Sequence, residues 1–275
     1  MSISIQTNSG ALMALDDLRT NTDFQSRTIQ RLTSGYRINS SGDDAAGLAV
    51  ANGYRTQVAE LNQGIRNAND GLSQLQIMDG GLNNISKMID RLRTLATQAA
   101  SDTFKGDIVT LDNEFQAITS EINRQAANIG LAAGGANAKT IEVYVGGGDT
   151  ASNSIVTLDL ATTSTVDAAG LGITGDNLLD KTATTTALGH LVAATSTLGG
   201  VQGQVGSSQN KLQYAVNLAS SQATNIAAAE SRIRDADIAA EASNLTKAQV
   251  LSQSSMAALA QANSAPQSVL TLLRQ

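Results

Sequence analysis

Through most of this chain apolar residues recur at alternating intervals of three and four; one central stretch breaks the pattern. In the first 130 residues three stripes follow one another. Leu15, Leu18, Ile29 and Leu32 share a heptad stripe whose middle positions, Thr22 and Gln25, are polar. A second stripe runs through Tyr54, Val58, Leu61, Ile65, Ala68, Leu72, Leu75, Leu82, Ile85, Ile89, Leu92, Ala96 and Ala99, with an interruption at Asp79 and a slip in spacing between Leu82 and Ile85. The third is Phe104, Ile108, Leu111, Phe115, Ile118, Ile122, Ala126 and Ile129. Sustained three-four spacing predicts long helices packed as coiled coils. The second helix, roughly 55 residues, would run roughly 80 Å, the length of a rod rather than a globule. Ser101-Asp102-Thr103 reads as a break and as the N-cap of the third helix.

From residue 206 the pattern resumes. Leu212, Val216, Ala219, Ala223, Ile226, Ile233 and Ala240 form one stripe, and Leu245, Ala248, Leu259, Ala262, Val269 and Leu273 continue it. The N-terminal helix needs a partner, and the C-terminal helix is the candidate, so the chain folds back on itself. The middle reads differently. Thr140–Val145 and Ile155–Leu160 alternate like strands and flank a Gly-Gly-Gly-Asp loop, the pattern of a hairpin. The Thr/Gly-rich stretch that follows has no period and reads as loop until a helix begins near Ala187. The resulting fold class is mainly α: a long antiparallel helical bundle or coiled coil built from both chain termini, with a small β-hairpin region. Three segments follow: 1–43, an inner helix and connector; 44–234, a helical rod with a hairpin at 140–160 and a short variable segment at 161–186; and 235–275, a second inner helix.

Composition narrows the chemistry. The chain has 275 residues, 41% hydrophobic but only 3% aromatic, with no Trp and a single Pro, Pro266. A core of Ala, Leu and Ile suits closely packed helices. The absence of cysteine excludes disulfides and thiolate chemistry, and the lone histidine, His190, leaves nothing from which to build a triad or a multi-histidine metal site. A net charge of -6 gives no electrostatic footprint for nucleic acid. No apolar run approaches a membrane span, so no membrane insertion is expected. The N-terminus shows no cleavable-signal pattern.

Four stretches could carry chemistry. Gly170–Gly175, "GLGITG", fits G-x-G-x-x-G, but lacks the strand-turn-helix setting a dinucleotide needs and reads as turn glycines. Gly199–Gly206 is glycine-dense without a P-loop Lys and reads as a flexible joint. The adjacent pair Asp43-Asp44 would be catalytic only with a partner. Flanked by "SSG" before a long periodic segment, it reads as helix-entry residues that face the positive end of a helix. The charged stretch holding Arg232, Arg234, Asp235, Asp237 and Glu241 is either a solvated face or a subunit interface. No catalytic, cofactor or metal residue emerges.

Both ends then carry a resemblance. "IQTNSGALMAL", "LTSGYRINSSGDDAAGLAVANGYRTQV" and "NDGLSQLQIMDGGLNNI" are similar to the N-terminal region of bacterial flagellins, and "AAESRIRDADIAAEASNLTKAQVLSQSSMAALAQANSAPQSVLTLLR" to their C-terminal region. The resemblance covers 1–130 and about 198–275. It implies a structural subunit of the flagellar filament in a short form without large outer domains, with the hook–filament junction protein as the alternative. The implied inner pair spans Ser4–Ser34 and Asp235–Gln275, and the implied outer helices are Asp44–Ala100, Thr103–Ile129 and Ala187–Ile233. Asp43, Asp44, Arg232, Arg234, Asp235 and Asp237 become candidates for joint or subunit contacts. The resemblance further implies a homopolymer of many copies, contacts with flagellar cap and hook-junction proteins, a cytoplasmic export chaperone on the C-terminal helix, and export to the extracellular filament without a cleaved signal. Some flagellins are bound by a Toll-like receptor through a Gln-Arg-x-Arg-Glu-Leu-Ala motif. Here Asp90-Arg91-Leu92-Arg93-Thr94-Leu95-Ala96 stands in its place, and Arg91, Leu95 and Glu114 match the contact pattern.

Overall fold

The computed structural model describes residues 7–147, 154–160 and 165–273. In chain order the elements are α1 (Ser9–Ser34), α2 (Ala45–Ala100), α3 (Ile108–Asn128), β1 (Thr140–Tyr144), β2 (Ile155–Asp159), α4 (Lys181–Arg234) and α5 (Ile238–Leu273). The fold is mainly helical, with a single small hairpin among the described residues, as the spacing predicted. Predicted helix residues 4–6 and 274–275, part of the hairpin loop from Gly148 onward, residues 161–164, and the stripe side chains Val269 and Leu273 lie outside the described ones. Packing forms two compact units, one of residues 1–56 with 225–275 and one of residues 57–224. The division falls inside α2 and α4, some way from the helix breaks at 35–44 and 235–237.

In the first unit α1 and α5 pair antiparallel. Asn8 caps α1 by accepting from the Ala11 amide at 3.1 Å and donates its own amide to the Ala262 carbonyl at 2.8 Å. The seam is built of small and polar residues. Ala14 and Thr28 are buried on α1, and Glu241 and Ala248 on α5. The predicted stripe has the correct period but the wrong alternate positions. Leu18 and Leu32 face the seam, whereas Leu15 and Ile29 are 44% and 46% exposed beside the buried Ala14 and Thr28. On α5, likewise, Ala240 is exposed and Glu241 takes its place. At Gly10 a Cβ would already touch that of Ala262, at 4.0 Å, so small residues at that level let the two backbones approach. Thr28 satisfies its buried hydroxyl on the Phe24 carbonyl at 3.0 Å, and Asn21 reaches Ser255 at 3.1 Å. A buried Leu or Ile contributes about 1.5–3 kcal/mol, and Ala or Thr much less, so this pair is weakly held by its own seam.

The second unit has a conventional apolar core. Leu61, Leu75, Leu82, Ile85, Ile89 and Leu92 of α2 are buried as predicted. Met78, not Asp79, carries the stripe across its interruption, and the spacing adjusts between Leu75 and Met78. From α3 come Leu111, Phe115, Ile122 and Ala126, and from α4 Leu191, Leu198, Val201, Val205 and Leu212. α3 begins later than expected. Its N-cap is Asp107, which accepts from the Val109 amide at 3.0 Å. Asp102 instead holds Lys181 at 2.7 Å. α4 starts at Lys181 rather than near Ala187. The glycine-dense stretch 199–206, expected as a flexible joint, lies within this helix. Buried Val201 and Val205 anchor that turn and override the poor helix propensity of its glycines.

Glycine decides how closely the hairpin docks. β1 and β2 pair antiparallel with Thr140 opposite Asp159 and Tyr144 opposite Ile155. The Val145 carbonyl comes so near α2 that a Cβ on Gly64 would lie 1.7 Å from its oxygen. Asn67 donates to the Tyr144 carbonyl at 3.1 Å and Gln204 to that of Asp159 at 2.6 Å, so helices on both sides satisfy the strand ends. Residues 165–180, expected as loop, form an irregular but buried segment on α3. The Ala168 amide donates to Asn123 at 2.7 Å and the Leu178 amide to Asp112 at 2.8 Å, while Val166, Leu171, Ile173 and Leu178 are buried. Gly172 and Gly175 take positive φ here, in turns with no strand leading in and no helix starting at them, so the geometry of a dinucleotide loop is missing.

Gly64→Ala is expected to cost about 2 kcal/mol or more, because backbone must move. Gly203→Ala, whose Cβ would meet nothing within 4 Å, is expected to stabilise the isolated subunit by about 0.5–1 kcal/mol. Urea unfolding followed by circular dichroism measures both.

Candidate functional site

The candidate functional residues from the two chain ends converge on one joint in the first unit. α1 stops because Gly35 adopts φ 75, a left-handed C-cap whose amide donates to the Arg31 carbonyl at 2.9 Å. α4 stops at Arg234, and the two breaks stitch each other. The Arg37 amide donates to the Arg234 carbonyl at 2.6 Å and the Ala236 amide to the Gly35 carbonyl at 2.9 Å, with Tyr36 and Asp235 as the bridging pair. Orphan backbone groups at two helix ends, which would otherwise need water, are thus satisfied across the joint. The Arg37 side chain adds a bond to the Ile233 carbonyl at 2.8 Å. The Arg234 guanidinium lies 4.1 Å from the Tyr36 ring centroid, a cation–π contact, and sits 3.8 Å from Glu230.

The two aspartates have separate tasks. Asp43 accepts from the Ser40 amide at 3.0 Å, the Ser40 hydroxyl at 3.1 Å and the Asn39 amide at 3.2 Å, closing the connector turn. The backbone bonds from Ser40 and Asn39 hold its carboxyl below the usual carboxylate range. Asp44 is the cap of α2, accepting from the Gly47 amide at 2.9 Å. A Cβ on Gly47 would meet the Asp44 carboxylate at 2.4 Å and Ile38 at 2.8 Å, so glycine lets the cap and buried Ile38 close together.

On the other strand of the joint, Asp237 caps α5 through the Ala239 and Ala240 amides at 2.9 and 3.1 Å. Asp235 accepts from the Ser231 hydroxyl at 2.6 Å. Arg232 is exposed and makes no hydrogen bond or ion pair among the described residues. Beside the joint, Arg31 lies 3.5 Å from Glu241, which is buried in the seam and also accepts from Asn244 at 3.0 Å. Gly35, Tyr36, Arg37, Ile38 and Arg31 are thus joint residues beyond those the sequence pattern singles out, and Glu241 of the charged stretch turns inward to Arg31 rather than to solvent. Gly35, just past a periodic segment, was a legible C-cap. The partnering of Tyr36 with Arg234 had no local signal.

The candidate receptor contacts lie in the second unit. Arg91 on α2 donates through Nε and Nη2 to one oxygen of Glu114 on α3, at 2.8 and 2.6 Å. Both remain partly exposed, but Leu95 is fully buried in the core and offers no surface to a partner. His190 contacts Asp176 at 2.8 Å on the surface. No cluster of His, Cys, Asp and Glu able to hold a metal occurs among the described residues, and no described helix is long and apolar enough to cross a membrane.

Comparison with known proteins gives a consistent result. The model of the bacterial flagellin N-terminal helical region matches residues 5–129, and that of the C-terminal helical region matches 184–273. A flagellin of Halalkalibacterium halodurans is 33% identical over 98% of this chain and 99% of its own length. The flagellar filament 33 kDa core protein of Treponema phagedenis is 36% identical over 98% of this chain and 99% of its own. A crystal structure of Bacillus cereus flagellin is 32% identical, covering 60% of this chain and 94% of that one, with a TM-score of 0.47.

The joint separates the carboxylate tasks by experiment. Asp44→Ala is expected to cost about 1 kcal/mol through the lost cap, read by urea unfolding. Asp43 is bound in its charged form, so its folded pKa lies below the unfolded value of about 3.9. Its stabilisation is complete above that value and disappears as pH falls through the folded one. Asp43→Ala should therefore be less stable than the unsubstituted chain at neutral pH, and the two should converge in acid.

Proposed function

The chain belongs to the bacterial flagellin family, and on that premise we propose that it polymerises through α1 and α5 into the filament that drives swimming. Flagellins are structural proteins rather than enzymes, and they are subunits of the extracellular flagellar filament. What supports the finer reading is the distribution of apolar side chains on the terminal pair. Its seam buries small and polar residues, while Leu12 at 58%, Met13 at 69%, Val250 at 60% and Met256 at 51% stand exposed. A soluble monomer gains nothing from large apolar side chains in water. A polymer that covers them recovers about 25 cal/mol per Å² and stabilises a pair that its own seam holds weakly.

In this reading the joint sets where each terminal helix leaves the rest of the subunit. Arg232, free among the described residues, is the member of the charged stretch most available to a neighbouring copy. The finer partners belong to the same proposal: cap and hook-junction proteins at the filament ends, an export chaperone that covers α5 before assembly, and export without a cleaved signal. Receptor recognition, if this chain is bound by a Toll-like receptor, runs through Arg91 and Glu114 and requires their mutual bond to open.

Replacing Leu12 and Val250 together by Glu tests the assembly surface. The expected outcome is an unchanged circular dichroism spectrum of the monomer and loss of sedimenting polymer. Filaments of normal length from this variant would overturn the proposal. Growth of the unsubstituted chain on filament seeds should continue to long polymers, whereas a hook-junction protein would stop at a bounded ring.

A further inference from the structure

The chain has five methionines, and their surroundings differ sharply. Met78 is buried in the α2 core with 1% exposure, and Met88 is half-buried. Met13 on α1 and Met256 on α5 are 69% and 51% exposed. Met256 follows Ser255, which bonds Asn21, whereas Met13 lies nearer the Asn8–Ala262 bond, so the two thioethers stand at different levels of the same helix pair. A thioether in water is open to two-electron oxidants, and the product sulfoxide is polar and chiral.

We propose that Met13 and Met256 are oxidation-sensitive positions that govern assembly competence of the free subunit. The proposal rests on the reading of α1 and α5 as the polymerising surface. Hydrogen peroxide is the oxidant class. The sulfur lone pair attacks one peroxide oxygen, the O–O bond breaks, and the second oxygen leaves as hydroxide, which becomes water by taking the proton of the sulfur-bound oxygen. Sulfur is oxidised to the sulfoxide and peroxide is reduced. The monomer tolerates this change, because both side chains already face water and neither supports the α1–α5 seam. The polymer does not, because each sulfoxide must then lose its water at a surface selected for apolar contact. Assembly in turn shields both sulfurs, so the modification falls on subunits not yet incorporated.

The test uses the full chain, with and without Met13→Leu and Met256→Leu together, each before and after hydrogen peroxide. Peptide mass mapping locates the added oxygen, and seeded polymerisation read by sedimentation gives the consequence. Met13 and Met256 should each gain one oxygen well before Met78, and the oxidised unsubstituted monomer should keep its helical spectrum while yielding about tenfold less polymer. The double-leucine protein should polymerise equally in both conditions. Met1 and Met88 are present in both proteins and so control for oxidation elsewhere. Oxidation of Met78 as fast as Met13, normal polymer from the oxidised chain, or equal loss in the double-leucine protein would each overturn the proposal. Failure of untreated protein to polymerise strikes the assembly reading instead, and is distinguished because it appears without peroxide.

Discussion

The close approach of α1 and α5 is the constraint on which this subunit turns. At the most buried positions of their seam stand small or locally bonded side chains, with Leu18 and Leu32 half-buried beside them. Ala14, Thr28 and Ala248 fill that role, and Asn8, Asn21 and Ser255 tie the two helices with hydrogen bonds. The geometry pushes the large residues outward. Leu12, Met13, Leu15, Ile29 and Val250 are therefore exposed by the same packing that joins the helices. A pair built in this way is well registered but weakly stabilised, with its apolar surface left for a neighbour. Polar pins such as Arg31–Glu241 add register more than stability, since removing both charges from water offsets much of their attraction.

The joint converts that pair into part of a folded subunit. Gly35 and Arg234 end helices that are far apart in sequence, and each break supplies the hydrogen-bond partners that the other lacks. The carboxylates around it act as caps and turn closures. Asp44 and Asp237 bind amides at the starts of α2 and α5, and Asp43 closes the turn between α1 and α2. These are geometric tasks that acidic side chains perform because amide donors cluster there. The same chemistry that could have suggested an acid–base pair in isolation is used for chain direction.

In the second unit glycine sets distances rather than flexibility. Gly64 admits the Val145 carbonyl and Gly81 admits the Ile129 side chain, each where a Cβ would overlap its neighbour. Gly199, Gly200, Gly203 and Gly206 have open space and remain helical, because Val201 and Val205 between them are buried. Glycine content therefore reports close approach at some positions and nothing about a joint at others. Asp167 shows how an irregular segment is held without helix or strand. Burial opposes its ionisation, but bonds from the Gly170 amide, the Thr165 hydroxyl and the Ala133 amide outweigh this and keep its carboxyl below the usual range.

Sequence by itself determined the helical class, the hairpin strands, the apolar core of α2 and α3, and the family, because periodicity and local motifs are carried by neighbouring residues. Leu61, Leu75, Ile85, Phe115 and Ile122 are core positions on spacing alone. Helix starts were less legible: Asp107, not Ser101-Asp102-Thr103, caps α3, since several polar residues there could cap and only the docked backbone selects one. Tertiary structure alone decided which side of α1 faces its partner. Leu15 is exposed beside buried Ala14, and Ile29 beside buried Thr28, because the flank of a stripe that meets the partner is set by the partner helix and not by the stripe itself. It also decided that Tyr36 stacks with Arg234, since a contact between residues distant in the chain leaves no periodic trace in the sequence.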